Sequence, residues 1–382
     1  MSDVASSQAG DIKVPRMVVM GVGGSGVQAV AAMSRVNPAL SAVVVDTDTK
    51  MLEACPMKEC IHIGAIVTNG LSAGGDVELG RQSVEKNSSG IRKQLREVDL
   101  LVVVVGLGGG TGSGAVPVIT RLAREAGALV LCMASMPFKF EGRKISNIAE
   151  DALKRIRTHA DAIVRIPNER LLERADADLL AEQAFARSHQ VMCDAVFSLG
   201  RMLPQTGVCG LDFACIHTML RNCDGFCHFA SAEAEGSGRA ASVAAGLAKH
   251  QLLNKGKLLA SSAGMVVGIT GGADLRLSEI ETVMDAVQEN LRPDAWVNFG
   301  VVTDPSFEGR LAVFVLVAEQ WREALVDDAN RQMVLFGKRS EQGELPLETA
   351  GKGRFTNLDP TIHDNQDLDV PTYIRRAIKL PR

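Results

Sequence analysis

The stretch Gly106-Leu-Gly-Gly-Gly-Thr-Gly-Ser-Gly114 decides how we interpret this chain, because six of its nine residues are glycines. It follows the apolar, β-branched run Leu100 to Val105, which is typical of a buried parallel strand. Apolar residues at helical spacing follow from Ala115 to Ala126. A strand, a glycine loop and a helix N-terminus form an anion site, because unshielded backbone N–H groups can converge on a phosphate. The alternative is a tight turn that only packs closely, and such a turn rarely needs six glycines.

The composition indicates a globular protein with two domains and a tail. The chain has 382 residues, of which 46% are hydrophobic and 4% aromatic, so aliphatic side chains must fill the cores. The net charge of −4 and the lack of a basic block argue against nucleic-acid binding. No apolar run reaches about 18 residues, so we expect no membrane insertion. Eight cysteines without a signal segment predict free thiols in the reducing cytoplasm.

A second glycine motif lies near the start of the chain. Gly21-Val-Gly-Gly-Ser-Gly26 fits G-x-G-x-x-G between a strand predicted over Val14 to Met20 and a helix predicted through about Met33. The next predicted strand, Ala42 to Val45, ends at Asp46, where dinucleotide folds place a ribose-binding acid. This motif alone suggests an NAD-dependent oxidoreductase. Two glycine loops on neighbouring strands, however, suit the phosphates of one nucleoside triphosphate better.

Alternating strands and helices predict a doubly wound, mostly parallel α/β sheet for the first half of the chain. A long central helix over Ala181 to Leu203 then leads to a smaller α+β domain. The loop predicted over Thr68 to Gly80 could close over a terminal phosphate, although an ordinary surface loop fits its composition equally well. The remaining predicted elements are strands Leu129 to Met133, Ala162 to Ile166, Met265 to Thr270, Val297 to Thr303 and Arg310 to Val317, and helices Ile145 to His159, Ala214 to Leu220 and Leu277 to Leu291.

The predicted domain boundaries follow changes in these patterns. We expect a disordered leader over residues 1–11, a nucleotide-binding domain over 12–180, the central helix and a loop over 181–220, an α+β domain over 221–320, a polar linker over 321–366 and a terminal peptide over 367–382. The terminal peptide has too little apolar surface to fold alone, so we expect it to become ordered on a partner.

Several motifs in chain order carry a family resemblance. Gly106 to Gly114 resembles the signature loop of the tubulin/FtsZ superfamily. The motifs that resemble bacterial FtsZ are Met136-Pro-Phe-Lys-Phe-Glu-Gly-Arg143, Ile166-Pro-Asn168, Gly210-Leu-Asp-Phe-Ala214, Ile269-Thr-Gly-Gly-Ala-Asp-Leu-Arg-Leu277 and Leu368-Asp-Val-Pro-Thr-Tyr-Ile-Arg375. The resemblance implies a GTP-binding, GTP-hydrolysing division protein that polymerises head to tail into cytoplasmic filaments at the division site.

The resemblance also implies a set of nucleotide-binding residues for GTP, with Mg²⁺ as a candidate companion and no metal held by protein ligands alone. The phosphate residues would be Gly23, Gly24, Ser25 and Gly26, then Ala73, Gly74 and Gly75 at the γ-phosphate, then Gly108, Gly109, Gly110, Thr111, Gly112, Ser113 and Gly114. The residues at the sugar and base would be Glu141, Asn168, Phe185 and Gln190, and Gln28 would be a further nucleotide-binding residue beside the first loop. Stacking on Phe185 would bind any base, and core packing is the alternative role for that ring.

Three departures from the family pattern fall on these binding positions. Gln190 aligns with the guanine-reading aspartate, and an amide can pair with adenine by flipping, so we expect weaker discrimination between GTP and ATP. Gln28 replaces an asparagine and keeps the amide. Ile145 stands where the family has an arginine near the γ-phosphate, and Arg143 or Lys144 could take its place.

The fourth departure concerns catalysis, which the resemblance assigns to a loop inserted from the next subunit. Asp212 is present, but Cys215 aligns with the second acid and Gly210 with the usual asparagine. A protonated thiol is a poor base, and loss of a positioned base typically costs about 10²–10⁴ in rate. We therefore predict slow hydrolysis carried by Asp212. The alternative is a non-hydrolysing structural or regulatory paralogue that co-assembles with a competent one.

Two remaining features concern partners and metals. The resemblance implies that the terminal peptide docks on a membrane-tethering division protein through Leu368, Val370, Pro371, Tyr373, Ile374 and Arg375. The alternative is a disordered end without a role. Cys209, Cys215, Cys223, Cys227 and His228 are clustered in sequence, but their spacing is not that of a zinc site, so we expect free thiols.

Overall fold

The computed structural model of the chain describes residues 14–172, 180–203, 211–289, 291–318, 320–321, 362–363 and 366–367. It divides into two compact units, Met1–Glu323 and Ala324–Arg382. The predicted leader, nearly all of the linker, and the motif Leu368 to Arg375 lie outside the described residues. Within the described part of the chain, no helix is long and apolar enough to cross a membrane.

The first unit alternates strands and helices through its first half. Its strands are β1 Met17–Val22, β2 Ala42–Asp46, β3 Cys60–His62, β4 Leu100–Gly106, β5 Leu129–Met136, β6 Ala162–Pro167, β7 Gly225–Glu235, β8 Gly264–Gly271, β9 Trp296–Thr303 and β10 Arg310–Ala318. Its helices are α1 Gly23–Val36, α2 Thr49–Glu53, α3 Val77–Lys86, α4 Ser88–Gln94, α5 Gly110–Glu125, α6 Arg143–Arg157, α7 Ala181–Met202, α8 Phe213–Asn222, α9 Arg239–Lys249, α10 Lys257–Ala260 and α11 Leu277–Gln288. In the second unit, β11 Ile362–His363 pairs with β12 Gln366–Asp367.

The strands of the first unit form one sheet in the order β3-β2-β1-β4-β5-β6-β7-β10-β8-β9. All neighbours from β3 to β7 pair in parallel, whereas β10 pairs antiparallel with both β7 and β8. Strand β4 is buried on both faces, as expected for a parallel strand covered by helices. Val102 packs in the core that contains α1 and α7, and Val103 packs in the core of α3 to α6. The predicted doubly wound, mostly parallel α/β fold with an α+β domain after the central helix is confirmed.

The glycine-rich stretch is only partly a loop, which corrects one boundary. Helix α5 begins at Gly110 rather than at Ala115. The loop predicted over Thr68 to Gly80 ends at Asp76, whose side chain accepts the N–H groups of Glu78 and Leu79 and caps α3. Glycines are tolerated in α5 because they allow it to approach α3 closely. The other predicted elements are present and end within three residues of their predicted ends.

Strand β7 was not predicted from the sequence. Its Ala, Ser and Glu residues have low β propensity, and its burial does not alternate regularly. The strand forms because it lies between two partners: it pairs in parallel with β6 and antiparallel with β10, from Glu235 opposite Arg310 to His228 opposite Val317. Tertiary pairing therefore overrides local preference at the strand that joins the two domains.

Candidate functional site

A pocket of about 490 Å³ opens at the carboxyl edge of the parallel sheet. Residues that follow β1, β2, β4 and β5 line it, because parallel strands all end at this edge. The strand order reverses between β1 and β4, and ligands bind α/β sheets in the crevice at such a switch point. The volume is in the range of small-molecule sites.

Two helices begin at this pocket. Gly23, Gly24 and Ser25 of α1 and Gly110, Thr111 and Gly112 of α5 all line it. Neither helix has a side-chain cap or an acidic residue in its first turn. The first N–H groups of a helix have no partner within the helix, and they carry its partial positive charge. Two uncapped helix ends at one pocket therefore form a site for an anion with several oxygens.

The glycines of the signature stretch divide between binding and packing. Gly109 is the N-terminal cap of α5 and lines the pocket, and a Cβ built on it meets nothing within 4 Å. A Cβ on Gly114 would lie 2.1 Å from the carbonyl oxygen of Val77 on α3. Gly108 has φ +112° and its N–H donates to Ser113 Oγ at 2.9 Å. Gly108, Ser113 and Gly114 do not line the pocket, so they shape the loop and seat α5 against α3.

The loop before α3 contributes fewer pocket residues than the sequence predicts. Ser72 and Gly75 line the pocket, and Ala73 and Gly74 do not. Ala73 is buried, and its Cβ lies 2.9 Å from a Cβ built on Gly110. Gly74 has φ +59° with open space around it. Of the three residues that the sequence predicts at a γ-phosphate, Ala73, Gly74 and Gly75, only Gly75 therefore lines the pocket in this structure. Gly26, in the first turn of α1, does not line the pocket and packs on β4, because a Cβ there would lie 2.4 Å from the carbonyl oxygen of Val104.

Two carboxylates lie at the end of the pocket where α5 begins. Asp46 is buried and accepts the N–H of Thr47 at 2.7 Å, and burial raises the pKa of its carboxyl. The hydroxyls of Thr47 and Thr111 are 2.8 Å apart, so this turn lies beside the start of α5. Asp48 also lines the pocket. Asp46 therefore lies beside the start of α5, whereas a dinucleotide fold would have an acid at the end of this strand bind a ribose.

No lysine or arginine of the described residues lines this pocket. Arg143 and Lys144 are exposed at the start of α6, away from the lining. Ile145 packs on the signature loop, where a Cβ on Gly108 would lie 2.5 Å from its Cγ2. The structure thus does not bring either candidate substitute for the family's arginine to the site. Among the described residues, the positive potential of this pocket therefore comes from backbone N–H groups at the starts of α1 and α5.

The far end of the pocket is aromatic and contains polar atoms without partners. Phe185 on α7 is 38% exposed and lies edge-on to Phe138, with centroids 5.1 Å apart. Asn168 Oδ1 and Ser188 Oγ are buried and have no hydrogen-bond partner among the described residues. Both side chains line the pocket with Phe185. Buried polar atoms normally have hydrogen-bond partners, so these two atoms indicate a ligand whose hydrogen-bonding groups lie beside the ring of Phe185.

Glu141 and Gln28 complete the lining at this end. Glu141 Oε1 accepts the N–H of Phe138 at 2.8 Å, which fixes the turn that carries Phe138 beside Phe185. Gln28 lines the pocket from α1. Both predicted residues are therefore within the site, Glu141 with one oxygen already engaged.

Gln190, which the sequence predicts at the base, does not line the pocket in this structure. Its Nε2 donates to Asp194 Oδ1 at 2.7 Å, one turn along α7. His189 lines the pocket instead, with Phe185 and Ser188. Residues 185, 188 and 189 share one face of a helix, whereas residue 190 lies about 100° further round. The helical spacing from Phe185 was the signal in the sequence that identifies His189.

Asp212 and Cys215 lie outside this pocket, at the start of α8. Asp212 is exposed and caps α8, with Oδ1 accepting the N–H of Ala214 at 3.3 Å. Cys215 Sγ accepts a hydrogen bond from Asn298 Nδ2 of β9 at 2.9 Å. Burial, and then the charge of Asp212, raises the pKa of the Cys215 thiol. Gly210 lies outside the described residues.

The cysteines of the described part of the chain form no disulfide. Cys215, Cys223 and Cys227 are free thiols, and no group of three or more potential ligands among the described residues could hold a metal ion. Cys209 lies outside the described residues.

Comparisons with known proteins agree with this architecture. Residues 16–176 match the model of the Tubulin/FtsZ family, GTPase domain, and residues 225–320 match that of the FtsZ family, C-terminal domain. The "Cell division protein FtsZ" of Bartonella bacilliformis is 33% identical over 305 residues, which cover 79% of this chain and 51% of that protein. Its namesake from Caulobacter vibrioides is 32% identical over 303 residues, covering 79% and 59%. The chain thus spans little more than half the length of these relatives.

A solved structure, "FtsZ dimer, empty" of M. jannaschii, superposes with a TM-score of 0.73 at 26% identity, covering 81% of this chain and 89% of that one. The sheet, the central helix and the second domain therefore define a protein with the tubulin/FtsZ fold. The two matched domains and the curated relatives are more specific: the chain belongs to the FtsZ family.

Proposed function

We propose that this chain binds GTP in the pocket at the sheet edge and polymerises head to tail into the filaments of a cytoplasmic division ring. The observation that carries the proposal is the pair of uncapped helix ends, α1 and α5, that meet at one pocket with an aromatic wall opposite. The phosphates would occupy the helix ends, and the base would occupy the end near Phe185. The FtsZ names of the relatives support the filament role.

The charges of the pocket favour a nucleotide bound together with a divalent cation. A triphosphate brings several negative charges to a pocket lined by Asp46, Asp48 and Glu141 and by no basic side chain of the described residues. Helix ends offset only part of such a charge. We propose that Mg²⁺ accompanies the nucleotide, with Asp46 and Asp48 as the carboxylates at the phosphate end that suit a hard cation.

Hydrolysis would take place where the next subunit presents α8 to the γ-phosphate. Asp212 is exposed at the start of this helix and carries the catalytic role in the proposal. Cys215 stands in the place of a second acid, but burial raises the pKa of its thiol, which keeps it protonated and unable to accept a proton. We therefore propose slow turnover, with filaments that persist after assembly.

A second candidate is a structural or regulatory paralogue that does not hydrolyse GTP and co-assembles with a competent subunit. The raised pKa of the Cys215 thiol favours it, because burial keeps the group in the proposed catalytic position neutral. The oxidoreductase alternative is not favoured, because Asp46 lies beside the start of α5 rather than at a ribose.

The terminal peptide would link the filament to a membrane-tethering division protein. The proposal rests on the motif Leu368 to Arg375 alone. Capture of the full chain by division proteins, compared with a chain lacking residues 367–382, tests it. Equal capture of both chains would remove the proposal.

Electron microscopy and sedimentation of the pure protein test the main proposal. With GTP and Mg²⁺ we expect single-stranded or bundled filaments, and without nucleotide we expect few. Filaments that form only after a competent subunit is added would favour the second candidate. Failure to bind GTP or to assemble in either setting would refute both.

A further inference from the structure

The end of the pocket near Phe185 contains a histidine that belongs to neither of the two glycine motifs. His189 lies on α7 one turn after Phe185, and both side chains line the pocket. Its Nε2 is 3.3 Å from Ser25 Oγ, in the first turn of α1. The imidazole thus links the central helix to the first glycine motif where the base end of the pocket begins.

His189 is the titratable residue among the residues of α7 that line the pocket. The other lining residues at this end are Gln28, Asn168 and Ser188, which are neutral, and Glu141, whose Oε1 accepts the N–H of Phe138. Burial lowers the pKa of His189, so its ring is neutral at pH 7. The other two carboxylates that line the pocket belong to Asp46, the last residue of β2, and to Asp48, two residues further along the chain.

A neutral imidazole and a carboxylate recognise a purine in different ways. A carboxylate accepts from two donors at once, and the N1–H and 2-amino groups of guanine match that pattern. Adenine presents an acceptor at N1, which a carboxylate does not bind. An imidazole has one nitrogen that donates and one that accepts, so it can meet only one group of either base.

Ser25 allows both tautomers of the ring. When the hydroxyl donates to Nε2, the proton of the imidazole is on Nδ1, which then donates to an acceptor such as adenine N1. When Nε2–H donates to the hydroxyl, Nδ1 accepts, and guanine N1–H is a suitable donor. The pair can adjust to either purine at no cost in hydrogen bonds.

We propose that His189, paired with Ser25, is the base-recognising residue and admits guanine and adenine nucleotides with similar affinity. The inference rests on the proposed nucleotide site and deepens it, since it names the substrate class as purine nucleoside triphosphates. It assigns no base contact to Gln190, whose amide is engaged by Asp194.

Competition binding tests the assignment. A fluorescent GTP analogue is bound to the full chain with Mg²⁺ and displaced by GTP, ATP and ITP, the last of which lacks the 2-amino group. For the wild type we expect the three dissociation constants to agree within about fivefold. His189→Asp should raise the preference for GTP over ATP roughly 10- to 100-fold, the discrimination typical of a bidentate contact. It should also create a preference for GTP over ITP.

Gln190→Asp is the matched control, because it adds the same carboxylate one residue away on a different face of α7. We expect its affinity ratios to equal those of the wild type. A wild-type preference for GTP above about 30-fold overturns the inference and leaves the nucleotide site intact, and this result does not depend on how the variants fold. Unchanged ratios in folded His189→Asp, or a gain in Gln190→Asp, also overturn it. Displacement by no nucleotide would refute the proposed function itself.

Discussion

Replacing the thiol at position 215 by a carboxylate is expected to accelerate GTP hydrolysis. Cys215 Sγ lies 2.9 Å from Asn298 Nδ2, so a carboxylate oxygen near this point would accept the same N–H and be held in place. A thiol with an ordinary pKa of about 8.5 is only a few per cent ionised at pH 7, and burial with the nearby charge of Asp212 makes Cys215 less so.

The size of the effect follows from the ionised fraction. An aspartate at position 215 is almost fully ionised at pH 7, so the amount of base rises about 30-fold or more. A positioned base contributes about 10²–10⁴ in rate, and we take the lower end of this range as the upper limit of the gain. We expect Cys215→Asp to raise turnover per assembled subunit roughly 30- to 100-fold. Phosphate release is measured while light scattering reports the amount of polymer.

Cys60→Asp is the control, because it makes the same replacement on the exposed strand β3, away from α8. We expect its turnover to equal that of the wild type. Adding Asp212→Ala to the Cys215→Asp chain should remove most of the gain. The reasoning is refuted if Cys215→Asp assembles normally and turns over GTP no faster than the wild type.

Two further predictions concern stability. Gly114→Ala places a Cβ within 2.1 Å of the Val77 carbonyl oxygen and 2.7 Å of the Arg81 nitrogen, so urea unfolding should show a loss of about 1–3 kcal/mol, and an unchanged midpoint would contradict the α3–α5 packing. Arg239 is 4% exposed and donates to Glu279 at 2.7 Å, so Arg239→Ala should cost about 3 kcal/mol at pH 7. Because Arg239 lowers the pKa of Glu279, this contribution is present above pH 4–5 and lost as pH falls through the lowered pKa. If the free energies of unfolding of the wild type and Arg239→Ala change in parallel with pH below pH 5, the ion pair between Arg239 and Glu279 is ruled out.

The sequence predicts the pocket because glycines, strand ends and helix starts are local signals. The sequence could not show which glycines line the pocket and which pack against a helix, because Gly114 is required by a contact with Val77, a residue 37 positions away in the chain. It also assigned the base contact to Gln190, whereas His189, one position earlier on α7, lines the pocket. One residue along a helix turns the side chain by about 100°, here from the pocket at His189 to the surface at Gln190.

The fold shows the same division between local and long-range information. Strands such as Leu100–Gly106 are apolar throughout and are recognisable from sequence. Strand Gly225–Glu235 has a composition that does not predict a strand, and its existence depends on pairing with β6 and β10. Long-range pairing of this kind is not encoded in the local pattern.

The central claim is that the uncapped start of α5 binds the phosphates of the nucleotide, and Gly109→Asp tests it most directly. Gly109 has φ −84° and ψ 168°, a conformation that suits an aspartate cap, and a Cβ there has free space around it. The new carboxylate would occupy the helix donors itself and repel phosphate. Gly109→Ala is the control, since it adds the Cβ without the charge.

Calorimetric titration with GTP, paired with thermal unfolding without nucleotide, gives the decisive result. We expect Gly109→Asp to be about 0.5–1 kcal/mol more stable than the wild type, because an acid caps the helix, and to bind GTP at least 100-fold more weakly. Gly109→Ala should match the wild type in affinity. GTP binding by Gly109→Asp that is as tight as that of the wild type would contradict the account.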